Sequence, residues 1–145
     1  MTMSFVDNGT GELWLGFMLL RKLISNNLTN ELISLQIYQP NQFTEFDPAR
    51  TFEKWAVAEV SDYDSVPQGM ETFTLAGGLY AVFIYKGSSA NAGIYQYIFR
   101  TWLPNSAYAL DDRPHFEVLG EKYKNNDPDS EEEIWIPVKP KSGVQ

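Results

Sequence analysis

The sequence predicts an α+β fold built from two tandem strand–helix–strand–strand modules related by a pseudo-twofold axis. Predicted strands and helices follow the same order in the two halves of the chain, and the halves match in pattern at an offset of 80 residues. At 145 residues, the chain is long enough for one domain whose core needs neither disulfides nor metal. We expect one domain over 1–140, with modules at about 1–62 and 70–140, antiparallel sheets, two helices and a central ligand cleft. The tail, 141–145, is expected to fray.

The first module is predicted to contain a helix and two strands after a very short first strand. Capping residues in "DNGTGE" and apolar residues at helical spacing predict a helix from about Thr10 to Ser25. The segments "ELISLQIYQ" (31–39) and "KWAVAEV" (54–60) predict strands. Because the chain begins just before the first strand, we expect this edge to be short or to be completed by another chain.

The second module repeats this order. Gly77-Gly78 interrupts a β pattern, as a bulge or bend does, and "LYAVFIYKG" (79–87) follows as the most strongly strand-like segment. "SSANAG" opens a second predicted helix, and Pro104 lies just past its end. Further strands are predicted around "HFEVLG" (115–120) and in "IWIPVK" (134–139), and an acidic loop, "NNDPDSEEE", joins them.

The offset between the halves has a consequence for function. It aligns Trp55 with Trp135, and it aligns Glu117 with Ile37, so that the acidic residue would break the symmetry on one side. A seam between two related modules is a natural place for a ligand cleft.

Composition and charge exclude several classes of function. A net charge of −8, with no cluster of Lys and Arg, argues against direct DNA binding. A single His and no Cys remove thiol chemistry and Cys/His metal sites, and the chain has no phosphate-binding loop, dinucleotide loop or G-x-S-x-G motif. No segment predicts a signal peptide or a membrane span. We therefore expect a cytoplasmic protein with no metal and no cofactor.

Glu117 lies in an unusual context. Strict alternation places His115, Glu117 and Leu119 on one face of a strand. The neighbouring predicted strands carry almost no charge, and a carboxylate among them is costly unless something pairs with it. A surface position and an ion pair with Arg113 are two alternatives to a ligand cation. The aromatic content of 14% likewise fits either a large aromatic core or an aromatic-lined pocket.

Three segments, "GGLYAVFIYKG", "WLPNSAYALDDRPHFEVLGEKY" and "EEEIWIPVK", resemble the GyrI-like small-molecule-binding domain, the effector-binding domain of bacterial multidrug-responsive transcription activators. The resemblance extends from about Thr10 to Lys139. It implies two strand–helix–strand–strand modules and an aromatic-lined cleft for lipophilic, often cationic, compounds. It also implies that Glu117, in the family's F-E motif, recognises the positive charge. Since the sequence shows no helix-turn-helix before the domain, we expect a stand-alone member that does not itself bind DNA.

Three functions follow from this resemblance and stay open. The first, which we predict, is binding of lipophilic cationic small molecules. Its candidate ligand-contacting residues are Glu117, Trp55, Tyr80, Tyr95, Phe99 and Trp102. For each of these aromatic residues core packing is the alternative, and we assign Trp14 and Trp135 to the core. The second function is hydrolysis of reactive cyclopropane-type compounds by Glu117, with Glu59 as a possible second carboxylate. The third is modulation of a protein partner, a regulator or gyrase, as in gyrase-inhibitor-like proteins.

Overall fold

Seven antiparallel strands form one open sheet in the residues that the computed structural model describes, 1–89 and 91–141. These strands are β1 (Thr2–Met3), β2 (Leu32–Ile37), β3 (Phe52–Val57), β4 (Tyr80–Lys86), β5 (Tyr108–Leu110), β6 (His115–Leu119) and β7 (Glu131–Pro140). Their order is β1-β3-β2-β6-β7-β4, and β5 pairs with the far end of β7. The predicted α+β class is confirmed. Beyond Lys141, the predicted frayed tail lies outside the described residues.

Two helical segments lie on one face of the sheet. The first, α1 (Thr10–Leu20), continues as a 3-10 turn (Arg21–Leu23) and therefore ends earlier than the predicted Ser25. The second runs without interruption through α2 (Gly93–Tyr97), a π-helical turn (Ile98–Trp102) and α3 (Leu103–Asn105). Within the described residues no helix combines the length and the apolar character needed to cross a membrane.

The strand registers show the predicted pseudo-twofold symmetry directly. A row of paired residues crosses four neighbouring strands, from Trp55 to Leu35, from Leu35 to Phe116 and from Phe116 to Trp135. Residues at the two ends of this row are both Trp, and the axis passes between Leu35 and Phe116. The offset is 80 residues for β3 and β7, as predicted from the tryptophans, but 81 residues for β2 and β6.

This one-residue difference corrects the prediction of which residue in the first module is equivalent to Glu117. At the offset of 81, Glu117 is equivalent to Gln36 and not to Ile37. Gln36 pairs with the residue next to Phe116, His115, and therefore shares the face of Glu117, whereas Ile37 points to the opposite face. On the helix-covered face, the second module therefore has the acidic Glu117 at the position where the first module has the neutral Gln36.

The second module holds the most deeply buried apolar cluster. Ile98 and Ile134 are fully buried, and Ile136 and Val138 are nearly so. They meet because alternate residues of β7 face the same side of the sheet as the second helix. In contrast, α1 has no buried residue, and its Leu19 is 76% exposed.

Strand boundaries differ from prediction at two places that matter for function. β3 ends at Val57, which leaves Glu59 past the end of the strand and exposed. β7 begins at Glu131, so the last three residues of the predicted acidic loop belong to a strand. The alternation of β7 turns Glu132 towards the helix-covered face beside Ile134.

Candidate functional site

A cleft of about 1350 Å³ lies between the two helical segments, with the sheet as its floor. The floor presents mainly polar and charged side chains, from Ser34, Gln36, Lys54, His115, Glu117 and Glu132. The walls are mainly apolar: Trp14 and Met18 from α1, Tyr95 and Phe99 from the second helix, and Tyr38, Phe43 and Phe46 from the β2–β3 connection. The two helical segments also contribute Arg21 and Arg100 to the lining. A polar floor beneath aromatic walls is suited to a ligand with a charged group on an apolar body.

The strand registers place Glu117 at the centre of this floor. It pairs with Ser34 of β2 on one side and with Ile134 of β7 on the other. Directly opposite residues in an antiparallel sheet share a face, so all three face the helices. Lys54 reaches the same floor from β3, where it pairs with Gln36.

The Glu117 carboxylate is crowded by protein atoms, although its outer edge still faces the open cleft. Burial raises its pKa to about 7, and the nearby Glu132 raises it too, while Lys54 and hydrogen bonds oppose the rise. The Gln36 amide Nε2 donates to Oε1 of Glu117 at 3.2 Å, and the Tyr95 hydroxyl also interacts with this carboxylate. At neutral pH Glu117 is therefore poised between its protonated and ionised forms.

Glu132 is a second carboxylate in the cleft. Glu132 is 9% exposed to solvent, and within the described residues its side chain has no hydrogen bond and no ion pair. Burial raises the pKa of Glu132, and the charge of Lys54 partly offsets the rise. A buried carboxylate without a protein partner is unfavourable, so a donor from a ligand or from water would stabilise it.

Lys54 supplies the positive charge on the floor. Its ammonium Nζ donates to the Thr10 hydroxyl at 3.2 Å, at the first residue of α1. Burial lowers the pKa of Lys54, whereas Glu117 and Glu132 raise it. Lys54 thus ties the floor to the helix of the first module through a neutral partner.

Aromatic rings close one end of the cleft. Phe43 and Phe99 stack with ring centroids 4.8 Å apart, and Tyr38 meets His115 edge-on at 4.8 Å. Burial lowers the pKa of His115 to about 3, which keeps the imidazole neutral. Within the described residues, the His115 ring contacts the rings of Tyr38, Phe43 and Phe99.

Of the residues predicted to contact a ligand, the structure brings three to the cleft: Glu117, Tyr95 and Phe99. Trp55 faces the opposite side of the sheet, where it packs against Phe73 with ring centroids 5.3 Å apart. The placement follows from strand parity, because Trp55 pairs with Leu35 and shares its face.

The other two predicted aromatics also lie outside this cleft. Tyr80 packs against Phe116 and Trp135 on the opposite face, at 5.3 and 5.7 Å between ring centroids. Trp102 meets Phe83 edge-on at 5.1 Å. Their packing contacts match the alternative of core residues.

Several cleft residues were missed from the sequence. Trp14 was assigned to the core, and Tyr38, Lys54 and Glu132 were not considered as ligand contacts. A signal existed for Glu132, because it alternates in phase with the apolar residues Ile134 and Ile136 of the last strand. No comparable signal marks the other three.

Arg113 does not neutralise Glu117. Its guanidinium Nε binds Asp111 Oδ2 at 2.7 Å, and its Cζ atom lies 4.7 Å from the ring centroid of Tyr80. Since Tyr80 belongs to the face opposite Glu117, the ion pair that was an alternative to a ligand cation does not form.

A family model for Cass2, described as an integron-associated effector binding protein, matches residues 7–138. No curated protein is similar enough to this chain in sequence to be matched.

Proposed function

Because the chain belongs to the Cass2 family of integron-associated effector binding proteins, a GyrI-like effector-binding family, we propose that it binds lipophilic cations in the cleft above Glu117. One observation carries the proposal. Glu117 lies on the floor of an aromatic-walled cleft, and among the described residues no cationic group lies within 4.0 Å of it. A ligand cation would supply that partner, and the surrounding rings would add cation–π attraction.

The dimensions of the cleft support a ligand of drug size. Pockets for such ligands span roughly 300–1,000 Å³, and this cleft is somewhat larger and open on one side. Apolar walls discriminate weakly between shapes of similar size. We therefore propose that charge, read by Glu117, contributes more to selection than shape.

The test is isothermal titration calorimetry, which measures the affinity of the wild type and of Glu117→Gln for tetraphenylphosphonium and for neutral triphenylphosphine oxide. The substitution keeps the shape of the side chain but removes its charge. We expect the cation to bind the variant about 5- to 100-fold more weakly, the size of a lost interaction with a charged group. The affinity for the neutral compound should stay the same.

Glu59→Gln is the matched control, since Glu59 is exposed and lies outside the cleft. It should bind both compounds as the wild type does. Equal cation affinity of the wild type and Glu117→Gln would contradict the proposal.

A second candidate function is hydrolysis, and the pKa of about 7 for Glu117 favours it. A carboxyl group with a pKa near the working pH can take a proton from water or return one to a leaving group. Incubation with a strained cyclopropane compound, followed by mass spectrometry, tests for a product with one added water. Turnover by the wild type but not by Glu117→Gln would establish an enzyme, and binding without product would exclude hydrolysis of that compound.

A further inference from the structure

The floor of the cleft carries charges of both signs that are not paired with one another. Within the described residues, no ion pair within 4.0 Å joins Lys54 to Glu117 or to Glu132. Lys54 has the Thr10 hydroxyl as its hydrogen-bond partner, and Glu117 has neutral groups such as the Gln36 amide. Partly buried charges are costly unless an opposite charge meets them. Both signs are therefore available to a ligand.

These charges lie on opposite sides of the floor. Lys54 is on β3 and Glu117 is on β6, with β2 between them. Neighbouring strands are about 4.8 Å apart, so the two backbones are separated by roughly 10 Å. Thr10 holds the ammonium at the α1 side, whereas the Tyr95 hydroxyl interacts with the carboxylate at the other helix.

The uncharged side chains between them leave the gap polar but electrically neutral. Ser34 and Gln36 point into the cleft from β2, and the Gln36 amide already donates to both Ser34 and Glu117. No side chain of β2 therefore bridges Lys54 to a carboxylate by charge. A molecule lying across β2 would meet an ammonium at one end and carboxylates at the other.

We propose that the preferred ligand is amphoteric: its cationic group binds at Glu117 and Glu132, and a carboxylate of the same molecule binds the Lys54 ammonium. This inference rests on the proposed function and narrows its class of ligand. A ligand with only a cation would leave Lys54 unpaired and would be repelled by it. A ligand with both charges satisfies both sides of the floor.

Rhodamine 110 and its methyl ester, rhodamine 123, provide a matched pair for the test. They share one aromatic cation, and only the first carries a free carboxylate. Fluorescence anisotropy at pH 8 would measure the affinity of the full chain for each dye. We expect the wild type to bind the acid about 10-fold more tightly than the ester, the size of one charge-assisted contact.

Variants at Lys54 separate a ligand contact from an effect on folding. Lys54→Met should remove the preference for the acid, and Lys54→Arg, which keeps the charge, should retain it. Lys139→Met is the control, because Lys139 is an exposed strand lysine outside the cleft. Thermal unfolding of each variant checks that the fold is intact.

The outcomes distinguish a failure of the amphoteric-ligand inference from a failure of the proposed cation binding. If the wild type binds the ester at least as tightly as the acid, then the Lys54 ammonium does not bind a ligand carboxylate. That result overturns the amphoteric ligand but leaves cation binding in place. If the wild type binds neither dye nor tetraphenylphosphonium, the proposed function fails and the inference fails with it.

Discussion

The two modules share a topology but differ in how firmly they are packed. The second module buries Ile98 and Ile134 completely between its helix and β7. The first module has a first strand of two residues and a helix without a buried residue. Equivalent folds therefore make unequal contributions to stability: the second module anchors the sheet, and the first supplies a weakly packed wall to the cleft.

The modules also differ in charge at equivalent positions. The carboxylates Glu117 and Glu132 come from the second module, and their symmetry equivalents are Gln36 and Phe52. Lys54 comes from the first. The twofold arrangement thus sets the shape of the cleft, while substitutions on either side of the axis give it one anionic and one cationic end.

The largest expected effect tests the difference in packing. Ile134→Ala removes a fully buried side chain from the second module and should lower the free energy of unfolding by about 2–5 kcal/mol. Leu19→Ala on α1 truncates a side chain that is 76% exposed and should change it by no more than about 0.5 kcal/mol. Urea denaturation measures both. Similar losses for the two variants would mean that α1 is packed as firmly as β7.

The next prediction concerns the dependence of stability on pH. Because burial raises the pKa of Glu117 from 4.5 to about 7, the folded protein binds a proton there more tightly than the unfolded chain. The contribution of Glu117 is thus most favourable below pH 4.5 and is lost as the pH rises through about 7. Glu117→Gln should gain stability relative to the wild type between pH 5 and pH 8, by a few kcal/mol at most.

His115 contributes to the pH dependence of stability with the opposite sign, so its contribution must be distinguished from that of Glu117. Its pKa falls from 6.5 to about 3 in the fold, so its contribution improves as the pH rises from 3 to 6.5. The two effects oppose each other between pH 4.5 and 6.5. Urea denaturation over that range should therefore show a steeper rise of the free energy of unfolding with pH for Glu117→Gln than for the wild type, because only the contribution of His115 remains. An unchanged pH profile would show that Glu117 is not buried in solution.

The same carboxyl group makes cation binding depend on pH. The ionised form of Glu117 attracts a cation, and its fraction grows as the pH passes about 7. Affinity for tetraphenylphosphonium should rise by up to about 10-fold between pH 6 and pH 8, in line with the fraction ionised. Affinity for triphenylphosphine oxide, and cation affinity of Glu117→Gln, should stay nearly constant. A parallel rise for the neutral compound would assign the pH effect to another group.

The sequence predicted the order of the elements and the position of Glu117 better than it predicted which aromatic residues form the walls of the cleft. Apart from β5, which was not predicted, the element order, the repeat and the face on which Glu117 lies follow from local pattern, because strand alternation fixes which residues share a face. Which of two apolar faces the helices cover depends on long-range packing, so Trp55 and Tyr80 were indistinguishable from true wall residues. The offset of 81 in the inner strands was also hidden, since the β2–β3 and β6–β7 connections differ in length.

The smallest expected effect tests whether α1, the helix of the first module, contacts the ligand. Of the four tryptophans, Trp14 on α1 lines the cleft, whereas Trp55 lies on the other face of the sheet. Tetraphenylphosphonium should therefore alter the fluorescence of the wild type and of Trp55→Phe, but much less that of Trp14→Phe. Because Trp14 is only partly buried, we expect Trp14→Phe to change the free energy of unfolding by less than about 1 kcal/mol. A full signal in Trp14→Phe would show that the ligand does not approach Trp14, and α1 would then be a wall that the ligand does not use.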